Sequence, residues 1–334
     1  MVSTTDGVGP GSTGEALRDL RRRLGAAGVP IVSAHDESYH DAVSDAVRLF
    51  QLRRGLSPTG ECDHVTWTTL VEAGHQLGDR HLYLRSPMIR GDDVADLQHR
   101  LGSLGFDAGR VDGIFGPDTE HALKDFQRNS ALTTDGVLGR DTRDTLLRLG
   151  HRTAGPTTVA GIREQEAVRS PPRELLGQRL VVGEPGGLGI LVAGLERRLT
   201  RAGADVLCLH HPDPVRQAQE ANRFGAELFL GLAFGDADDE VWYYKTTGYS
   251  SYGGQSLAEL LAGSASRQLR PTGVAGRWHP VLRETRMPAV QWQLTSHTAV
   301  STRAMALAQA AHHALEQWFH GPTVESPPPQ TPPG

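Results

Sequence analysis

The sequence predicts an α plus α/β protein, in which two small three-helix repeats precede a mostly parallel sheet covered by helices. The first half of the chain matches itself at an offset of 77 residues, which becomes 76 after one deletion. In the second half, short apolar runs alternate with segments of helical periodicity, a pattern typical of parallel sheets. With 334 residues, 38% of them hydrophobic, the chain is long enough for two or three domains.

The evidence for an internal repeat is a series of matching residues that occur in the same order in both copies. This many matches in one order indicate a duplication. They pair Leu20, Leu24 and Gly28 with Leu97, Leu101 and Gly105, and then Phe50-Gln51, Leu56, Gly60, Thr66 and Leu70 with Phe126-Gln127, Leu132, Gly136, Thr142 and Leu146. Apolar residues recur at helical spacing in each copy, which predicts three helices within 14–75 and three within 76–150. Pro117, just after the Gly113–Gly116 turn, suits the first position of a helix.

The segment Leu97–Thr142 resembles the peptidoglycan-binding repeat family, because it combines the turn Asp112-Gly113-Ile114-Phe115-Gly116 with a Phe-Gln pair. This resemblance implies a three-helix fold that binds glycan or stem peptide. We expect the ligand to contact exposed polar residues near the turns, namely Arg110, Asp112 and Asp135. The first copy lacks this turn, so its binding is left open. The alternative for the apolar and aromatic residues of both copies is a place in the core.

Beyond a predicted linker at 151–177, which is rich in Gly, Pro and Thr, strands and helices alternate. The predicted strands are 180–182, 206–209, 228–234 and 289–294, and the predicted helices are 190–201, 214–224, 256–269 and 301–319. Residues 178–320 resemble the zinc N-acetylmuramoyl-L-alanine amidases at Gly183–Gly187, Leu228–Leu232 and Met287–Val290. This resemblance implies zinc held by His, Glu and His, and a carboxylate that takes a proton from metal-bound water.

The residues at these family positions do not carry that chemistry. The first His corresponds to Gly187, the second His to Ala233 and the catalytic Glu to Gln293, an amide that is no base. The segment that would carry the Glu ligand is shortened, since Leu188 leads almost directly into the first helix. We therefore expect no catalytic residue, no metal ligand, no bound zinc and no hydrolysis.

Other histidines are candidates for a rebuilt zinc site. They are His210-His211 with Asp213, His312-His313, His279 and His297. Adjacent side chains on a strand or helix point apart, so we expect these histidines to be solvated instead. Glu184 is expected to occupy a turn. An amidase with displaced zinc ligands nevertheless stays open as an alternative function.

Composition narrows the class of partner and the compartment. The formal net charge is −5 with both signs mixed, which excludes a basic nucleic-acid-binding field. Cys62 and Cys208 are expected to be buried small hydrophobes rather than a disulfide. No secretory signal or apolar span is found, so we expect a cytoplasmic protein without a transmembrane segment. Residues 1–13 are predicted to be disordered.

The order of the domains resembles the CwlM-type family of actinobacterial proteins, and Leu82-Tyr83, Ile162–Glu164 and Arg286–Gln291 support this. The resemblance implies a phosphorylated cytoplasmic regulator that activates UDP-N-acetylglucosamine enolpyruvyl transferase. It also implies contacts with phosphothreonine-binding proteins, a Ser/Thr kinase or the lipid II flippase. The proline-rich tail, 321–334, offers Thr323 and Thr331 as phosphorylation candidates.

The leading hypothesis is therefore a catalytically inactive regulator or scaffold of peptidoglycan precursor synthesis. A second alternative, beside the displaced-ligand amidase, is a sensor module that binds muropeptide. Trp242, Tyr243 and Tyr244 would suit stacking on a sugar in such a module, although aromatic strand residues are more often core.

Overall fold

A computed structural model describes most of the chain. The described residues are 9, 12–29, 31, 38–150, 159–169, 174–235, 238–246, 249–267 and 271–321. The chain divides into two compact units. Unit 1 comprises Met1–Arg163, Tyr244–Ser251 and Gly276–Glu284, and unit 2 comprises Glu164–Tyr243, Tyr252–Ala275 and Thr285–Gly334.

Unit 1 contains the two repeats, each with the three helices that the sequence predicts. The helices are α1 (Glu15–Ala26), α2 (Asp41–Arg54) and α3 (His64–Ala73) in repeat 1, and α4 (Asp92–Ser103), α5 (Pro117–Asn129) and α6 (Arg140–Gly150) in repeat 2. Helix α5 has Pro117 at its start, as expected. Gly28 and Gly105 follow the first helix of each repeat with φ of 74° and 93°, a left-handed backbone that favours glycine.

Each repeat has a hydrophobic core of its own. Leu20, Leu24 and Phe50 are buried in repeat 1, and Leu97, Leu101 and Phe126 are buried at the matching positions of repeat 2. Cys62 is buried in the core of repeat 1, as predicted. The duplicated apolar pattern therefore specifies two similar but separate cores.

Unit 2 is built on a mixed sheet. The strands of the described chain are β1 (Arg179–Glu184), β2 (Asp205–His210), β3 (Leu228–Phe234), β4 (Glu240–Thr246), β5 (Tyr249–Ser250), β6 (Gly273–Arg277) and β7 (Ala289–Leu294). The order is β2-β1-β3-β7-β4-β5, with β6 on β4. The first four strands in this order are parallel, as predicted, whereas β4 runs antiparallel to β7. From Tyr244 onward β4 belongs to unit 1, as do β5 and the last residues of β6.

Helices complete unit 2. They are α7 (Val159–Arg169, from Glu164 onward in this unit), α8 (Gly189–Arg201), α9 (Pro214–Phe224), α10 (Tyr252–Ala265) and α12 (His297–His320). Trp292, Leu195 and Leu307 are fully buried in its apolar core. Cys208 is only half-buried and packs against this core.

Several elements differ from the sequence prediction. Strands β4 to β6 were not predicted, and neither was the short helix α11 (Pro280–Glu284) of unit 1. Helix α7 lies within the segment that was predicted to be a linker. None of the helices among the described residues combines the length and apolar composition that a membrane crossing requires. The greater part of the predicted disordered N-terminus and all but Gly321 of the proline-rich tail lie outside the described residues.

Candidate functional site

The ends of three strands bring Gly187, Ala233 and Gln293, where the resemblance leads us to expect metal ligands and a base, to one edge of the sheet. Strand β1 ends at Glu184, and only four residues, including Gly187, separate it from α8. Ala233 of β3 lies beside Gln293 of β7 in parallel register. The carboxyl ends of parallel strands are the usual location of sites in α/β folds, so the sheet places these positions where a site is expected.

The side chains at these positions do not fit a catalytic zinc ion. Gly187 has no side chain, Ala233 has only a methyl group, and Gln293 is a buried neutral amide. Zinc is held in proteins by thiolate, imidazole and carboxylate groups, none of which these residues supply. Among the described residues, no group of three or more His, Cys, Asp or Glu side chains is placed to hold a metal ion.

The carboxylate of Glu184 shapes the turn after β1. This side chain is 4% exposed, and its Oε2 accepts the backbone N–H groups of Gly186 at 3.0 Å and Leu188 at 2.9 Å. Its Oε1 lies 2.7 Å from Nδ1 of His210, on the neighbouring strand β2. Buried carboxylates need such partners, and here both oxygens are used to hold the turn and the histidine.

An aromatic pair lies beside Gly187. The rings of Phe234 and His297 are stacked with centroids 3.5 Å apart and an interplanar angle of 21°. A Cβ atom built on Gly187 would lie 3.5 Å from Cε2 of Phe234. The space next to Gly187 is therefore lined by a phenyl ring, which offers a metal ion no ligand.

The other candidate histidines contact different local partners instead of converging. Nδ1 of His211 accepts the backbone N–H of Asp213, and His312 and His313 both face Glu316 on their own helix. His279 lies in unit 1. Burial lowers the pKa of His279 to about 4.

In the repeats, three buried glutamines each hold one glycine-containing turn. Nε2 of Gln127 donates to Oδ1 of Asp135, the carbonyl of Val137 and Oγ1 of Thr142, and its Oε1 accepts the N–H of Gly136. In repeat 1, Gln51 binds Gly60, the Glu61 carbonyl, Thr59 and Thr66. Gln98 binds Asp112, Gly113, Ile114 and Thr119. The glutamine of each Phe-Gln pair, Gln51 or Gln127, thus holds a turn in place.

The predicted ligand-binding residues differ in exposure. Asp135 is exposed, and a hydrogen bond from the N–H of Val137 lowers the pKa of its carboxyl group. Arg110 and Asp112 are half-buried, contrary to the expectation that they are exposed. Oδ1 of Asp112 accepts Nε2 of Gln98 and the N–H of Ile114. Their role in ligand binding stays a prediction.

The structure also locates the aromatic residues that were considered for sugar stacking. Tyr243 and Tyr244 are buried, and Trp242 is half-buried with its Nε1 donating to Glu240 at 2.7 Å, so these rings do not form one open platform for a sugar. Thr323 and Thr331 lie outside the described residues. No sequence pattern indicated Arg283, whose side chain is 4% exposed and bonded to the turn of repeat 2.

Both the repeats and the chain as a whole have known relatives. The family described as "Putative peptidoglycan binding domain" matches residues 13–70 and 90–146. The chain is 31% identical to N-acetylmuramoyl-L-alanine amidase CwlM of Mycobacterium tuberculosis, over 93% of this chain and 87% of that protein. It is 30% identical to N-acetylmuramoyl-L-alanine amidase CwlL of Bacillus licheniformis, over 42% of this chain and 44% of that protein.

Two of the solved structures that the chain matches are amidases. The apo form of Ami1 from Mycobacterium abscessus is matched with a TM-score of 0.35 and 12% identity, over 43% of this chain and 100% of that one. The catalytic domain of CwlV from Bacillus (Paenibacillus) polymyxa is matched with a TM-score of 0.33 and 15% identity, over 41% of this chain and 96% of that one.

Proposed function

The chain belongs to the CwlM family, and we propose that it is a non-hydrolytic member that acts as a regulator or scaffold of peptidoglycan precursor synthesis. The observation that carries this proposal is the set of side chains at the strand ends. Zinc-dependent amide hydrolysis needs a metal held with one open coordination position and a base for the bound water. Gly187, Ala233 and Gln293 supply neither.

Two further contacts support the proposal. Both carboxylate oxygens of Glu184 are bonded, to the turn and to His210, so this carboxylate is not available as a general base without breaking that turn. A Cβ atom on Gly187 would lie 3.5 Å from Cε2 of Phe234, so this ring would contact a side chain placed there. The groups around these positions hold structure rather than offer metal ligands, which supports a function in binding.

Hydrolysis is tested with the full chain, zinc salt and a disaccharide–peptide substrate, beside an amidase that retains the His, Glu and His ligands. We expect no release of stem peptide and less than stoichiometric zinc by elemental analysis. Stoichiometric zinc together with stem-peptide release would establish the displaced-ligand amidase and overturn the proposal. The variant His210→Ala serves as a control, since it must abolish any activity that uses the Glu184–His210 pair.

The regulatory partners that we propose are those that the family resemblance implies. We propose that the protein acts in the cytoplasm on UDP-N-acetylglucosamine enolpyruvyl transferase, and that a Ser/Thr kinase, phosphothreonine-binding proteins or the lipid II flippase are further partners. Phosphorylation at Thr323 or Thr331 would create a doubly charged group that arginines can bind.

The test mixes purified transferase with unmodified chain, with kinase-treated chain and with a kinase-treated Thr323→Val, Thr331→Val variant. A rate increase that depends on phosphate and is lost in the variant is expected. Unchanged transferase rate and no binding with any of the three would contradict the regulatory role.

A further inference from the structure

Residues Gly276–Glu284, here called the arm, pack on both repeats within unit 1. The backbone N–H of Trp278 donates to the carbonyl of Gly55 at 3.2 Å, and its ring packs against the core of repeat 1. A Cβ atom on Gly55 would lie 2.8 Å from that nitrogen, so the close approach depends on glycine. The arm is therefore fitted to the surface of the repeats.

At the end of the arm, Arg283 fills a buried polar site. Its Nη1 lies 2.7 Å from Oε2 of Glu72, at the end of repeat 1. Its Nε donates to the carbonyl of Asp112 at 2.7 Å, and its Nη2 donates to the carbonyl of Gly113 at 3.4 Å. The side chains of Arg283 and Glu72 are 4% and 10% exposed. The guanidinium group is thus enclosed by one carboxylate and two backbone carbonyls of the repeat 2 turn.

Neighbouring contacts hold the arm in this position. Arg90 of repeat 2 forms a two-pronged ion pair with Glu284. Arg110 donates to the carbonyl of Leu282 at 3.3 Å and lies over the Tyr244 ring, 4.9 Å from its centroid. Two arginines of repeat 2 therefore contact the arm, and one of them is a residue that the sequence predicts for ligand binding.

The groups that line this site favour the binding of a cation. A carboxylate with low exposure and two carbonyl oxygens attract a positive group that carries several N–H donors, which an arginine or a primary ammonium supplies. Removal of a cation from such a place leaves a buried charge unpaired, which is strongly unfavourable. The site is therefore matched to a cationic side chain, and its present occupant comes from the same chain.

We propose that Glu72 and the Asp112–Gly113 turn form a binding site for the cationic side chain of a peptide, and that Arg283 occupies it in cis. A peptide with a free ammonium group then binds the repeats only when the arm is withdrawn. This competition concerns unit 1, so it stands whether or not the amidase-like domain hydrolyses peptidoglycan.

The experiment uses the full chain and the tripeptide L-alanyl-D-isoglutaminyl-L-lysine, whose ε-ammonium group is free. The arm is released by Trp278→Ala with Arg283→Ala, and Arg286→Ala, an exposed neighbour in the sequence, is the matched control. Calorimetric titration is expected to give at least about tenfold tighter binding to the released variant than to wild type or control, corresponding to about 1.4 kcal/mol. The Nε-acetylated tripeptide is expected not to bind.

A second probe for the same site is the arm sequence itself, which contains the arginine that occupies the site. A synthetic peptide of residues 276–284 is expected to bind the released variant and to lose that binding when its arginine at 283 is alanine. Adding Glu72→Gln to the released variant is expected to weaken both probes at least about tenfold, again about 1.4 kcal/mol.

The single variant Arg283→Gln is measured in parallel, because it keeps a side-chain donor for one carbonyl and perturbs folding less. Each variant is checked by thermal melting. Equal affinity of wild type, control, released variant and Arg283→Gln for the tripeptide would overturn the proposal. So would unchanged binding after lysine acetylation.

Discussion

Replacement of Gln127 by leucine tests the idea that one buried amide holds the Asp135–Gly136 turn. Gln127 is fully buried, and its amide makes four hydrogen bonds within repeat 2. Leucine has a similar volume and no polar atom, so the substitution removes the bonds without leaving a large cavity. We expect repeat 2 to lose stability while keeping its helical content.

The expected loss can be added up from these contacts. The two N–H hydrogens of Nε2 are shared among Asp135, Val137 and Thr142, and two net hydrogen bonds contribute about 1 kcal/mol each. The N–H of Gly136 is buried and loses its acceptor, which costs about 1–3 kcal/mol. The substitution should therefore lower the free energy of unfolding by about 3–5 kcal/mol.

Urea unfolding followed by far-ultraviolet circular dichroism measures this quantity. Arg128→Ala is the matched control, because the adjacent Arg128–Asp125 pair is 2.7 Å long but its side chains are 66% and 56% exposed. Such a pair contributes about 0–1 kcal/mol. If Gln127→Leu costs no more than Arg128→Ala, the glutamine is not what holds the turn.

Three more predictions follow from packing, backbone geometry and charge. Gly136→Ala should destabilise repeat 2 by about 1–2 kcal/mol in the same urea assay, because its φ is 73° and a Cβ would lie 2.7 Å from Cε of Lys124, whereas Gly139→Ala, which meets nothing within 4 Å, should change little. Trp292→Ala should lower the melting temperature of unit 2 and cost about 3–5 kcal/mol, because the ring is fully buried; a cost under about 1 kcal/mol would contradict this core assignment. The pKa of His279 is about 4 when folded and 6.5 when unfolded, so protonation favours the unfolded state and stability is lost as pH falls below 6.5. Between pH 7 and pH 5 this group should cost about 2 kcal/mol, a loss that His279→Gln removes; an unchanged pH slope in that variant would refute the assignment.

Much of the fold follows from local sequence patterns. The three-helix repeats were predicted because helical periodicity and turn glycines are properties of neighbouring residues. The bounds predicted for β3, α9 and β7 agree with the structure to the residue. Strands β4 to β6 were missed because they are short or pair out of sequence order, and the aromatic run at Trp242–Tyr244 does not by itself fix a strand partner.

The candidate sites were less predictable. That Gly187 offers no metal ligand and Gln293 offers no base follows from residue type alone, so the sequence was sufficient for this expectation. The site around Arg283 was not predictable, because Glu72 lies 211 residues away in the chain. Arginine is normally exposed, and no local pattern distinguishes an arginine that becomes buried against a distant partner.

The discontinuity of unit 1 has a consequence for how the chain emerges from the ribosome. The repeats are complete by Gly150, yet the residues that cover Glu72 and the Gly113 turn are translated only at positions 276–284. Domains generally fold from the N-terminus as they are synthesised. The nascent repeats must therefore persist for more than a hundred residues of translation with an uncovered carboxylate and an open apolar surface, and the peptide site proposed above is open throughout that time.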